Sequence, residues 1–379
     1  MVGHIEEDII EKDFIIVRTL GFGSFGEVKL ACHLPTNTHV AVKVLEKNHN
    51  SVSNIKSEVQ ILQSLEHRNI VRFFHIIDTL KMTYVVMEYV PGKDLHMLLK
   101  NVGYLKEKDA RPIFQQIVAA VQFLHKRLIT HRDIKLENIL IDRGGNIKLC
   151  DFGMAIQLKE GQMLKKFCGS LLYMAPEILA RKPFDGLAGD MWSLGIVLYV
   201  LVTGQYPYFE TTAPALYRLI TNTKFAIPFH LSKPCYIILA QLLKVETQHR
   251  ITICQLLERK WLGKIEQHME ASSKEILPRV LETMNTIGYT HEEIVSSLIL
   301  RQPNNKITAT FKILKHKLSC EESHHQNEKP WFIHRPVHAL PPLLPLKRRA
   351  SEPAFPTFQK VGTVTLKEEK RDAEAISWQ

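Results

Sequence analysis

Between positions 131 and 138, His131-Arg132-Asp133-Ile134-Lys135-Leu136-Glu137-Asn138 sets a carboxylate, an amine and a carboxamide in one short stretch. Asp133 can accept the proton of an attacking hydroxyl, Lys135 can neutralise a phosphate, and Asn138 can offer oxygen to a magnesium ion. Asp151-Phe152-Gly153 follows thirteen residues after Asn138, and its aspartate is a second candidate magnesium ligand. Taken alone, Asp-Phe-Gly reads better as a turn at a strand end. Upstream, Gly21-Phe22-Gly23-Ser24-Phe25-Gly26-Glu27-Val28 has glycines that let backbone amides approach phosphates closely. The same glycine spacing opens dinucleotide-binding folds, but there the third glycine leads into a helix, whereas Val28-Lys29-Leu30 continues as a strand. Lys43 lies 17 residues after Gly26, inside the apolar run Val40-Ala41-Val42. A lone lysine usually snorkels to the surface, yet one within an apolar strand calls for phosphate oxygens and a carboxylate, for which Glu58 is the candidate. Together these types and spacings suit transfer of a phosphoryl group, a reaction that needs mainly positioning and charge neutralisation.

Such residues must be held by a framework, and the chain supplies one in two parts. From Phe14 to about Val90, Ile15-Ile16-Val17, Val28-Lys29-Leu30, Val40 to Val44 and Tyr84 to Met87 read as short strands. One helix interrupts them, with Ile55, Val59 and Leu62 at helical spacing. From Asp94 the pattern is predominantly helical, as in Phe114, Ile117, Val118, Val121 and Leu124. A β-rich lobe followed by a helical lobe, with a cleft between them, is the α+β arrangement expected. Pro112 is expected to delay or kink a long helix.

Composition narrows the class. The 379 residues carry a net charge of +10, but Lys and Arg are dispersed, which argues against nucleic acid as the main partner. Six cysteines stand singly, without a CxxC pair, so neither a zinc site nor a disulfide framework is expected, and a reducing compartment is. The acidic N-terminus lacks the order of a signal peptide, and the apolar run from Trp192 to Val202 is short for a bilayer span. A cytoplasmic, soluble protein without a membrane domain is the expectation.

The segment 14–262 resembles the eukaryotic protein kinase family, whose motif set includes the glycine loop, the strand lysine, His-Arg-Asp and Asp-Phe-Gly. The resemblance implies a two-lobed fold using ATP and Mg2+ to phosphorylate protein substrates. It implies catalytic roles for Asp133, Lys135 and Asn138, and metal ligation by Asn138 and Asp151. Cofactor contacts are implied at Leu20, Gly21, Gly23, Gly26, Val28, Ala41, Lys43, Glu58, Met87, Glu88, Val90 and Asp94. Met87 would be the gatekeeper, Glu88 to Val90 the hinge that meets adenine through its backbone, and Asp94 a ribose contact. Ala175-Pro176-Glu177 would close the activation segment, Arg250 would pair with Glu177, and Asp190 would brace the catalytic loop. Lys135 is the residue serine/threonine kinases carry there, and acidic Asp94 and Glu137 would favour basic substrate contexts.

Residues 276–318 carry three short amphipathic segments and resemble a ubiquitin-associated (UBA) module, with Ile287-Gly288-Tyr289 at its signature turn. Thr290 and Glu293 have capping-box spacing. A kinase domain followed by such a module is similar to the calmodulin-kinase and AMP-activated-kinase-related branch, including the microtubule-affinity-regulating kinases and, most closely, the sperm motility kinases. Packing on the catalytic domain is the preferred role for the module, ahead of ubiquitin binding. Residues 319–379 read as a disordered tail, in which Arg348-Arg349-Ala350-Ser351-Glu352-Pro353 resembles a 14-3-3 docking motif once Ser351 is phosphorylated.

The chain departs from the family in its activation segment. Lys166 stands where related kinases carry a phosphorylatable threonine, and no Ser, Thr or Tyr occurs between Gly153 and Ser170. A phosphate there would bring negative charge to Arg132, whereas Lys166 brings the opposite sign. Control by activation-loop phosphorylation is therefore not expected. Leu171-Leu172 also replaces the usual proline-containing pair. These departures leave a second reading open, a pseudokinase scaffold that binds nucleotide or partners without phosphoryl transfer.

Overall fold

The computed structural model describes residues 12–23, 26–47, 52–263, 273–300, 302 and 304–326. Ser24 and Phe25 of the glycine loop, and Ser351 with its motif, lie outside the described residues. The first lobe is a five-stranded antiparallel sheet of β1 (Phe14–Gly23), β2 (Gly26–His33), β3 (Thr38–Glu46), β4 (Phe73–Asp78) and β5 (Met82–Glu88), in the order β1-β2-β3-β5-β4. Helix α1 (Val52–Ser64) packs beside it through Ile55, Val59 and Leu62. Glu58 falls on the same helical face, so the apolar stripe that seats the helix also carries a carboxylate inward.

Register divides the sheet into two faces. Gly21 pairs with Val28, Val28 with Lys43 and Lys43 with Val85, while Leu30, Ala41 and Met87 form a second row two residues along. Opposed residues share a face, so both rows point the same way, toward α1 and the cleft. The alternate positions Ala31, Val40, Val42 and Val86 point outward, where they form an apolar cluster with Phe14 and Phe74.

The second lobe is built on helices α2 (Leu95–Val102), α3 (Glu107–His125), α4 (Pro176–Leu179), α5 (Gly186–Thr203), α6 (Ala213–Asn222), α7 (Lys233–Leu242) and α8 (Ile253–Leu257). Small sheets of β6 (Gly92–Asp94), β8 (Ile139–Asp142) and β9 (Ile147–Leu149), and of β7 (Ile129–Thr130) with β10 (Ile156–Gln157), frame the cleft. Helix α5 contains the apolar run noted above but extends it to 18 residues, long and apolar enough by composition to cross a membrane. Here it is 83% buried and forms the centre of the lobe. Pro112 lies within α3, which starts at Glu107, so the helix start is not delayed.

Three further helices follow: α9 (Ser273–Ile287), α10 (His291–Leu300) and α11 (Lys306–Gln326). They share a core of Ile276, Val280, Met284, Ile294, Leu314 and Leu318. Thr290 and Glu293 form the expected capping box, each side chain meeting the other's backbone N–H at 3.3 and 2.9 Å. The disordered stretch expected from 319 is corrected in part, because α11 continues to Gln326. Its extension has a tertiary reason. Ile313 is fully buried in the outward cluster of the first sheet, Lys317 Nζ donates to Thr36 O at 3.1 Å, and the His316 ring lies tilted against Phe74 at 5.5 Å. Adjacent positions Ile313 and Leu314 thus enter two different cores.

Candidate active site

Lys43 Nζ lies 2.6 Å from Glu58 Oε1 and 2.9 Å from Asp151 Oδ1, which joins β3, α1 and the segment after β9. Burial opposes charge on Lys43, but the two carboxylates outweigh it and raise the ammonium above its ordinary pKa. Burial would also raise Asp151, yet Lys43 more than compensates and holds that carboxyl below the usual range. Both groups are therefore charged at neutral pH.

Across the cleft, Asp133 is held from three sides. Lys135 Nζ is 2.8 Å from its Oδ2, Asn138 Nδ2 donates to the same oxygen at 3.1 Å, and Ser170 Oγ donates to Oδ1 at 2.9 Å. Lys135 Nζ also donates to Ser170 Oγ at 2.9 Å, closing the cluster. A hydroxyl presented to Asp133 meets a carboxylate already oriented, with a cation beside it. Asn138 Nδ2 is engaged by Asp133 O at 2.8 Å as well, so its carbonyl oxygen is the atom left to a metal. With Asp151 it makes the hard oxygen donor set that magnesium takes, so the residues fit that ion.

The loop that carries Asp133 is fixed from below by Asp190, which is 1% exposed on α5. Its Oδ2 accepts from His125 Nε2 at 3.0 Å, Thr130 Oγ1 at 3.0 Å and His131 N at 2.9 Å, while Oδ1 accepts from Arg132 N at 2.9 Å. Burial would raise this carboxyl, but the hydrogen bond and charge of His125, with the further donors, hold it below the usual range. The grip explains how Arg132 keeps a φ of 64°, a conformation costly for a side chain of its size. His131 in turn meets the Phe152 ring edge-on at 4.8 Å, joining the loop to Asp151. Arg250 forms a bidentate pair with Glu177 at 2.6 and 2.9 Å and lies over Trp192.

The cleft lining follows from the sheet register. Gly21, Val28, Ala41, Lys43 and Met87 share the cleft face, Leu20 sits at a break in the β1–β2 register, and the backbone pairing places Gly23 opposite Gly26. The Glu88 side chain turns away from the cleft. Its carboxylate is 2.7 Å from Lys148 Nζ, accepts from Arg72 N at 3.0 Å and lies 3.7 Å from His316 Nε2. Only the Glu88 backbone, which continues toward Val90, is left to face a nucleotide. Asp94 accepts from Met97 N at 2.7 Å as the N-cap of α2, so one of its oxygens serves the helix. Sequence reasoning missed Ser170, Thr130 and His125 as site residues. Serine, threonine and histidine carry no local signal there, because their partners Asp133 and Asp190 come from distant segments.

The protein kinase domain family matches residues 14–262. Sperm motility kinase 3A of Mus musculus is 31% identical over 386 aligned positions, 98% of this chain and 76% of that protein. Sperm motility kinase 2B of the same organism is 32% identical over 372 positions, 96% of this chain and 72% of its own length. With the family match spanning both lobes and the charged cluster lying in the cleft between them, this chain belongs to the protein kinase family.

Proposed function

We propose that this chain is a serine/threonine kinase that transfers the γ-phosphoryl group of ATP to protein hydroxyls in basic contexts, without control by loop phosphorylation. The observation that carries the reading is the Asp133 cluster. A base, a cation and a hydroxyl meet within 2.9 Å of one another, opposite a Lys43 already paired with both Glu58 and Asp151. Asp133 would take the substrate proton, Lys135 would offset charge on the transferred group, and Asn138 and Asp151 would hold magnesium, which supplies electrostatic stabilisation of the phosphates. The glycine loop, Ala41 and Met87 would seat the nucleotide, with Glu88 to Val90 meeting adenine. Glu137, exposed and 3.6 Å from His96, is better free to meet a basic substrate residue than Asp94, which caps a helix.

Absence of loop-phosphate control is supported at Arg132, whose Nε donates to Met154 O at 2.6 Å within the unphosphorylated segment. The helices α9, α10 and α11 resemble a UBA module, and the docking of α11 against the first sheet through Ile313 favours a role in tuning the kinase over ubiquitin capture. A cytoplasmic location fits the same reading.

The test uses phosphate-free full-length protein with magnesium, labelled ATP and a panel of basic peptides, alongside Asp151→Asn. Transfer by the wild type that the variant lacks, and that an upstream kinase does not increase, is the expected result. Equal background from both proteins would instead favour a nucleotide-binding scaffold.

A further inference from the structure

We infer that Leu164 and Phe184 are positioning residues that clamp the activation segment against the catalytic loop and fill the part a loop phosphate would otherwise play. The inference rests on the reading that loop phosphorylation does not control this chain. The two residues form a backbone bridge, with Leu164 N donating to Phe184 O at 2.8 Å and Phe184 N donating to Leu164 O at 2.9 Å. Both side chains are buried, at 6% and 3% exposure, although one lies in a segment otherwise rich in exposed lysine and glutamine.

The clamp reaches the reacting groups through short steps. A Cβ on Gly186 would fall 2.9 Å from Leu164 Cδ1 and 2.8 Å from Thr130 Cγ2, so Leu164 occupies the room this glycine leaves beside Thr130. The Thr130 hydroxyl shares its one proton between Gly186 O at 2.9 Å and Asp190 Oδ2 at 3.0 Å, and Asp190 holds the Arg132 backbone next to Asp133. Downstream of Leu164, the Arg181 guanidinium lies 5.1 Å from the Phe167 ring, three residues before Ser170. A phosphothreonine would order the segment by charge on Arg132, whereas this chain places Lys165 and Lys166 there and orders it by desolvation.

The experiment compares wild type with Leu164→Ala, Phe184→Ser and Phe184→Tyr. It reads hydrogen exchange across 158–170, nucleotide affinity by direct binding, and peptide turnover. Leu164→Ala and Phe184→Ser should expose the segment to exchange and lower peptide turnover on the order of tenfold, with nucleotide affinity retained, and Phe184→Tyr should restore both. Adding Lys166→Thr to Phe184→Ser, followed by an upstream kinase, should recover turnover only when the introduced hydroxyl is phosphorylated. Unchanged exchange and turnover in both disruptive variants would overturn the clamp, as would a loss of nucleotide affinity matching the loss of turnover. A wild type without transfer activity sinks the functional reading alone, and exchange across 158–170 then decides the clamp.

Discussion

Asp190 illustrates how much one buried carboxylate organises at the scale of a residue. It faces four donors, two of them backbone N–H groups of the loop that carries Asp133, and it does so without touching Asp133, Lys135, Asn138 or Asp151. Asp190→Asn keeps the shape but replaces one acceptor oxygen with a donor. A buried N–H then loses its partner, at a cost of about 1–3 kcal/mol, whereas the Thr130 hydroxyl keeps Gly186 O. Arg132, held at positive φ by that grip, is the residue expected to relax, taking Asp133 out of register with Lys135. We therefore expect Asp190→Asn to lower kcat by one to two orders of magnitude, roughly, while nucleotide affinity measured by direct binding stays near wild type. Unaltered turnover in a variant of normal stability would show that the loop keeps its conformation without this carboxylate.

At the scale of elements, α11 is the least expected part of the molecule. A terminal helix of a small bundle would ordinarily bury one stripe, but α11 buries Leu314 and Leu318 in its own module and Ile313 against the sheet. The outward sheet face would otherwise leave Phe14, Phe74 and three valines open to water. Ile313→Ala should cost about 2–5 kcal/mol because its surroundings are packed from both sides. Urea unfolding checks the magnitude, and hydrogen exchange checks the place, since β2, β3 and β5 should lose protection while α5 does not. The same helix brings His316 to the buried carboxylate of Glu88, so loss of docking also removes a neighbour of Glu88 at the end of β5.

Acid sensitivity belongs to the whole molecule, because its contributors lie far apart in sequence. Burial lowers His33, His67 and His316 from 6.5 to about 4. For His316 the facing groups are Glu88, which opposes the shift, and Lys148 and Arg72, which add to it. Between those two values the unfolded chain binds protons that the folded chain does not. The stabilisation is thus complete above roughly pH 6.5 and is lost as pH falls toward about 4. Urea midpoints should hold from about pH 7.5 to roughly 6.5 and then decrease as pH falls toward about 5. His316→Phe, which keeps a ring against Phe74, should flatten the slope by up to about 1.4 kcal/mol per pH unit. A slope identical to wild type would mean that His316 titrates normally in the folded protein.

The chemistry and the local scaffold are already written in the order of the residues. Asp133, Lys135, Asn138 and Asp151 stand close along the chain or at short intervals, so their types and spacing already imply phosphoryl transfer. Alternation within β3 already puts Ala41 and Lys43 on one face, and helical spacing already puts Glu58 beside Ile55 and Leu62. The Thr290–Glu293 cap is equally local. Packing between distant segments sets the rest: Ser170 closes on Asp133, Phe184 meets Leu164, the Glu88 carboxylate turns away from the cleft, and α11 runs to Gln326. The physical reason is the same in each case. These outcomes depend on burial between segments distant in sequence, and a buried leucine, phenylalanine or isoleucine has the same local pattern whichever partner it meets. Nothing around Ile313 distinguishes a place in its own bundle from a place under the sheet, and competition between two apolar surfaces settles it.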